Sequence, residues 1–213
     1  MKPIVASVLA LTLFGTALVA SAATERPVKI VAFGDSLTAG YGLLATDAFP
    51  VKLAHALEAK GIKVQIVNAG VSGDTASGGL ARLDWSLPSD TDAVILELGA
   101  NDSMRGIDPA VTREALAAIL TKLKERGVAV LLCGMYAPPN MGADFERAYQ
   151  RMYPQLARSY DAILYPFFLD GVAGHREHNQ ADGIHPTSKG VDVIVKAILP
   201  KVEELVARVK AGW

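Results

Sequence analysis

The sequence predicts a three-layer α/β/α domain built on a doubly wound parallel sheet, and three observations carry that expectation. Short apolar runs alternate with longer stretches of helical period. Runs such as Val94-Ile95-Leu96 are apolar without alternation, as strands buried on both faces are. No internal repeat or low-complexity linker interrupts the series. Right-handed crossovers then put helices on both faces of the sheet, and ligands belong beyond the carboxyl ends of the strands.

Taken in order, the strands are expected at Val28 to Phe33, Lys63 to Asn68, Ala93 to Leu98, Val128 to Cys133 and, more weakly, Ala162 to Tyr165. After the first, Phe49, Leu53 and Leu57 recur every four residues, and Gly61 stands where a helix C-cap would. Val111, Ala115, Ile119 and Leu123 repeat that stripe, with Pro109 near the start and Gly127 past the end. A last segment carries Val191, Ile194, Ile198, Val202, Leu205 and Val209 on one face, and Pro200 is expected to kink or divide it. The element order is βαβαβαβαβα.

The 213 residues, 51% of them hydrophobic, suffice for one core and do not require two. A formal net charge of −1, with mixed signs throughout, leaves no basic face for nucleic acid. At the N-terminus, Lys2 precedes an almost unbroken apolar and small-residue run from Ile4 to Ala20, followed by Ser21-Ala22-Ala23. This pattern is expected to be a cleavable signal peptide over residues 1–22, leaving one domain over 23–213, exported to the periplasm or beyond, with no stable membrane insertion. The lone cysteine, Cys133, has no intramolecular disulfide partner and reads as a small buried hydrophobe on a strand.

Chemistry is sought just after each apolar run. The first is followed by Gly34-Asp35-Ser36-Leu37-Thr38-Ala39-Gly40, which exposes a serine on a strand-to-helix turn. The second is followed by Asn68-Ala69-Gly70-Val71-Ser72-Gly73-Asp74, the third by Gly99-Ala100-Asn101-Asp102-Ser103, and Asp182-Gly183-Ile184-His185-Pro186 stands near the end. A serine hydroxyl needs a base to take its proton, and the base needs an acid to fix its tautomer. Asp182 and His185 can supply that pair for Ser36. Ser36 N–H, Gly73 N–H and the Asn101 side chain suit a tetrahedral oxyanion. Singly, each segment has an ordinary structural reading: Ser36 a helix N-cap, Gly73 a turn glycine, Asn101 a cap or turn residue, His185 a loop histidine. Asp35 and Asp102 read as structural carboxylates, and Ser72, Ser103 and Ser188 are rival serines that do not directly follow a strand. Their joint placement after successive strands favours the catalytic reading of Ser36, Asp182 and His185.

Those four blocks, in this order, resemble the GDSL, or SGNH, hydrolase family. The resemblance spans nearly the whole chain after residue 22. It implies a flavodoxin-like fold, Ser36 as nucleophile and oxyanion donor, Gly73 and Asn101 as further donors, and Asp182 with His185 as acid and base. No cofactor is implied. Gly40-Tyr41-Gly42, Pro138-Pro139-Asn140-Met141-Gly142, Tyr153-Pro154 and Pro166-Phe167-Phe168 are similar, more loosely, to the bacterial periplasmic arylesterase, acyl-CoA thioesterase and lysophospholipase subgroup. By that similarity the substrate is a small acyl ester, thioester or lysolipid. Leu37, Ser72, Asp74 and Pro139 would contact it, and the loop from Met135 to Phe145 would be a mobile wall of an acyl groove. Leu43, Leu44 and Leu80 are further groove candidates, against the commoner core reading.

Two rival readings remain at this level. His175, His178, Asp182 and His185 put four potential ligands for a catalytic metal into eleven residues, but a metal site gives Ser36, Gly73 and Asn101 nothing to do. A silent lipid- or carbohydrate-binding module would have no use for a matched nucleophile and base. The oligomeric state is not encoded in any visible pattern; the lack of heptads excludes only a coiled coil.

Overall fold

A computed structural model describes residues 26–212; the expected signal segment lies outside them. The first apolar run forms β1 (Val28–Gly34), which leads through a one-turn helix α1 (Ser36–Ala39) into α2 (Phe49–Glu58) and β2 (Val64–Gly70). Then follow α3 (Ala76–Ser86), β3 (Ala93–Glu97), α4 (Ala100–Met104), α5 (Pro109–Glu125), β4 (Ala129–Cys133), α6 (Ala143–Tyr160), β5 (Ile163–Tyr165) and α7 (Ser188–Lys210). All five strands pair in parallel, in the order β2-β1-β3-β4-β5. Helix α2 packs against α7, while α3 packs on α5 and α5 on α6, so the sheet is covered on both sides. The strand order reverses between β1 and β3, the switch point where open α/β sheets gather their ligands.

Strands β3 and β4 are buried at every residue, which is why their sequence shows no alternation; β2, on the edge, is only partly buried. Phe49, Leu53 and Leu57 are all fully buried, as their spacing requires. Gly61 and Gly127 close α2 and α5 with the same two bonds. Ile62 N–H reaches Leu57 O and Gly61 N–H reaches Glu58 O; Val128 and Gly127 do likewise with Leu123 and Lys124. The pair is a Schellman motif, and the φ of +73° at Gly61 and +65° at Gly127 is what such a position needs.

Two helices depart from expectation. In α5 Ala115, Ile119 and Leu123 are buried as their spacing requires, and Thr112, Leu116 and Leu120 widen that face, but Val111, in the first turn, is exposed. In α7 the helix runs unbroken through Pro200. The loss of one internal hydrogen bond there is outweighed by the face that Ile194, Ile198, Val202 and Leu205 bury on both sides of it. Beyond β5, Phe168 is fully buried and meets Phe49 edge-to-face, ring centroids 5.1 Å apart. That contact anchors to the core the segment that later carries His185.

Candidate active site

Chain reversal at the end of β1 is tight enough that a Cβ on Gly34 would overlap Thr38 Oγ1 and Glu97. Asp35, fully buried, caps α1: one carboxylate oxygen accepts Leu37 N–H at 2.9 Å. The other accepts Asn101 Nδ2 at 2.9 Å, joining the turn after β1 to the one after β3. Beneath them Glu97 ends β3, and its Oε2 accepts Thr38 Oγ1 at 2.8 Å and Asp35 N–H at 3.3 Å. Glu97 is fully buried and its Oε1 has no partner among the described residues. Burial, with the neighbouring Asp35 charge, holds the Glu97 carboxyl well above the usual range. Burial also pushes Asp35 up to about 6, resisted by bonds from Leu37 N–H, Asn101 and Glu97. Two buried carboxyls this close do not both ionise, and Glu97 keeps the proton.

Facing this wall is the loop before α7. Asn179 is buried and donates to Val172 O and His175 O at 2.7 and 2.9 Å. Gln180 N–H donates to His185 O at 2.7 Å, closing the loop on itself. Within it, Asp182 Oδ1 accepts Ile184 N–H at 2.9 Å and His185 N–H at 3.0 Å, and Oδ2 lies 2.7 Å from His185 Nδ1. The His185 N–H and imidazole bonds, with Ile184 N–H, bring the Asp182 carboxyl down to about 2. An ionised carboxylate at Nδ1 requires the proton there, leaving Nε2 as an acceptor. That atom stands 3.0 Å from Ser36 Oγ. Tyr41 lies against the imidazole, ring centroids 4.6 Å apart, its carbonyl held by Gln180 Nε2 at 2.8 Å.

Ser36 opens into a cleft of about 490 Å³. Its walls come from Leu37, from Met104 beyond β3, from the stretch Met135 to Pro139 beyond β4, and from Phe167, Leu169 and Ile184. Tyr136 stacks on Phe167, centroids 4.3 Å apart, to stiffen the wall. Among the described residues, no lysine or arginine lines the cleft.

The model of the GDSL-like lipase/acylhydrolase family matches residues 32–193, from β1 into α7. The chain belongs to that family. It is 38% identical over 177 residues to esterase TesA of Pseudomonas aeruginosa, a match covering 83% of this chain and 88% of the relative. It is 36% identical over 178 residues to thioesterase 1/protease 1/lysophospholipase L1 of Escherichia coli strain K12, covering 83% and 84%. The crystal structure of TesA superposes with a TM-score of 0.79 at 37% identity, covering 83% of this chain and 99% of that one. That of AlinE4, an SGNH-hydrolase family esterase, superposes at 0.72 with 46% identity, covering 84% and 96%. Like other GDSL-family members of this kind, the chain is a serine hydrolase of carboxylic esters.

On this GDSL scaffold Ser36, Asp182 and His185 meet in one chain of contacts. Asn101 is tied beside Ser36 through Asp35. Gly73, at φ +83°, lies in the loop after β2, its carbonyl accepting Arg105 Nη2 at 2.9 Å. Leu37 and Pro139 line the cleft; Ser72 and Asp74 do not, Asp74 being drawn into a 2.6 Å ion pair with buried Arg82. Leu43, Leu44 and Leu80 are also away from it: Leu43 and Leu80 pack on the core, and Leu44 is exposed. Of the wall expected over Met135 to Phe145, residues 135–139 line the cleft and 143–145 already belong to α6. Asp102 is structural, accepting Ala76 N–H at 2.9 Å and Thr112 Oγ1 at 3.1 Å. The rival serines are engaged or remote: Ser103 Oγ donates to Ala100 O and Ser188 Oγ to Asp47, both at 2.8 Å. The four-ligand metal cluster is divided, because both His185 nitrogens face Asp182 and Ser36, and His175 and His178 group with Glu177 instead.

Sequence reasoning gave Glu97 and Tyr41 no part in the site. Glu97 could have been found as an acid ending an otherwise unbroken apolar strand. Tyr41 has no comparable signal, since its contact with His185 spans most of the chain.

Proposed function

We propose that Ser36 is the nucleophile, His185 its base and Asp182 the acid that orients His185. The observation that carries this reading is the unbroken relay of 2.7 Å from Asp182 to His185 and 3.0 Å from His185 to Ser36. His185 Nε2 takes the Ser36 proton as Oγ attacks the substrate carbonyl. The oxyanion is met by Ser36 N–H, Gly73 N–H and the Asn101 amide. Ser36 opens α1, where a helix N–H has no partner within the helix, and Asn101 Nδ2 carries a second N–H beyond the one given to Asp35. His185 returns the proton to the departing alcohol or thiol. It then activates water to release the acid.

The cleft suggests the substrate class. Its walls are predominantly apolar, with Ser36, Ser103 and Asn179 adding polar atoms and the buried Asp35 a carboxyl, so the acyl or aryl portion is what it receives. Aryl esters, fatty acyl thioesters and lysophospholipids are the substrates we assign, in line with the arylesterase, thioesterase and lysophospholipase names of its relatives.

We assign residues 1–22 to a cleaved signal and the remainder to a single exported domain, from Lys2 and the apolar run ending at Ala20. No helix among the described residues is long and apolar enough to cross a membrane. The mass of protein recovered from the periplasm tests this; retention of residues 1–22 would contradict it.

A series of p-nitrophenyl esters from acetate to palmitate, run on wild type and Ser36→Ala with and without chelator, tests the reaction. A rate that needs Ser36 and ignores the chelator is expected, its peak reporting the length of the cleft. A rate surviving in Ser36→Ala, or lost to chelator alone, would overturn the assignment.

A further inference from the structure

His175, Glu177 and His178, which the hydrolytic reading leaves unused, cluster on a single 3-10 turn at the shoulder of the His185 loop. One ligand atom from each lies within 4.8 Å of the others. Residues three apart nearly eclipse on a 3-10 helix, which brings the two histidines to one side; their ring centroids are 5.7 Å apart. His175 Nδ1 stands 3.8 Å from Glu177 Oε1. That is too long for a hydrogen bond and close to the roughly 3.3 Å between two ligands of a tetrahedral ion with bonds near 2.0 Å.

A second observation concerns His178 alone. Its Nδ1 lies 3.0 Å from Gly171 O. A carbonyl only accepts, so Nδ1 carries the hydrogen and Nε2 is left with a free lone pair. A ring N–H given to a backbone carbonyl is the arrangement that orients metal-ligating histidines and raises their basicity. Two imidazoles and one carboxylate select borderline transition ions such as zinc over calcium or magnesium.

We propose that His175, Glu177 and His178 form a binding site for a divalent transition-metal ion of the zinc class, with water completing the tetrahedron. The site is separate from the catalytic relay and does not depend on it. Its backbone is nonetheless bonded to the catalytic segment. His178 O accepts Thr187 N–H at 2.8 Å, and the carbonyl of His175 accepts the cleft residue Asn179 at 2.9 Å. The metal therefore acts as a clip that stiffens the turn on which the His185 loop rests. Its role is structural, with no part in ester cleavage.

The test is titration of the tag-free protein with zinc by calorimetry, with melting temperature measured in parallel, on wild type, Ser36→Ala, Glu177→Gln and His175→Ala. Glu177 and His175 are exposed, so neither change threatens the fold. Wild type and Ser36→Ala are expected to bind one ion with micromolar affinity and to melt higher when loaded. Glu177→Gln and His175→Ala are expected to bind about tenfold or more weakly and to lose the rise in melting temperature. Absence of binding at 100-fold excess zinc over protein would overturn the proposal. So would binding undiminished in both variants, which would place the ion elsewhere, as at His185.

Discussion

The two halves of the proposed active site are built in opposite ways. The Ser36 half is part of the core: Asp35, Glu97 and Asp102 are fully buried, and their side chains tie the turn after β1 to β3, to the turn after β3 and to α3. The His185 half is a solvated loop, with side chains of His185 and Asp182 exposed by 18% and 38% and held mainly by bonds within the same few residues. On the proposed roles, the geometry around the nucleophile is coupled to folding, whereas that around the base is local. Substitutions on the wall are expected to cost stability and activity together, and those on the loop activity alone.

The largest effects sharpen the comparison from both sides. Ser36→Ala and His185→Ala are each expected to lower kcat by about 10⁴- to 10⁶-fold, with melting curves unchanged for His185→Ala. Asp182→Asn should cost about 10⁴-fold, because the amide no longer imposes the Nδ1–H tautomer; unfolding of this variant would break the local-loop account. Asn101→Ala, removing a proposed oxyanion donor, should cost about 10²- to 10³-fold in kcat with little change in KM. Asp35→Ala strands Leu37 N–H and the Asn101 amide and should lose about 2–3 kcal/mol of stability along with activity. A variant as stable as wild type would contradict the core-coupled wall.

The smallest effects lie in pH dependence, and the two halves carry opposite signs. Asp182 is depressed to about 2 in the fold, so its contribution is present above the unfolded carboxyl range and is lost as pH falls from about 4 through 2. Glu97 is raised, so the folded state holds a proton that the unfolded state releases, and stability falls as pH rises above its unfolded value near 4.5. Glu97→Gln, which mimics the protonated acid, should flatten that alkaline decline in urea melts taken across pH. An unchanged slope would show that Glu97 does not hold the proton.

Much of this arrangement was legible in the sequence because the fold delivers it in linear order: Ser36, Gly73 and Asn101 each follow a strand, and strands buried on both faces announce themselves by unbroken apolar runs. Helix α6 was not located as such. Its stripe of Tyr149, Met152, Tyr153 and Leu156 has helical spacing, but arginines and Pro154 interrupt the impression of an apolar segment. The cleft was legible only in part: Leu37, Pro139 and the start of the Met135 to Phe145 loop line it as expected, whereas Met104 and Phe167 come from two other connections, and no local pattern marks residues that meet only after folding.

The central claim is that Ser36 is made nucleophilic by His185, and covalent trapping tests it most directly. The protein would be treated with a fluorophosphonate ester and the adduct mapped by mass spectrometry in wild type, Ser36→Ala and His185→Ala. One adduct on Ser36 is expected in wild type, none at that position in Ser36→Ala, and labelling slowed by orders of magnitude in His185→Ala. An adduct on another residue of active wild type, or labelling of Ser36 at full rate without His185, would contradict the account.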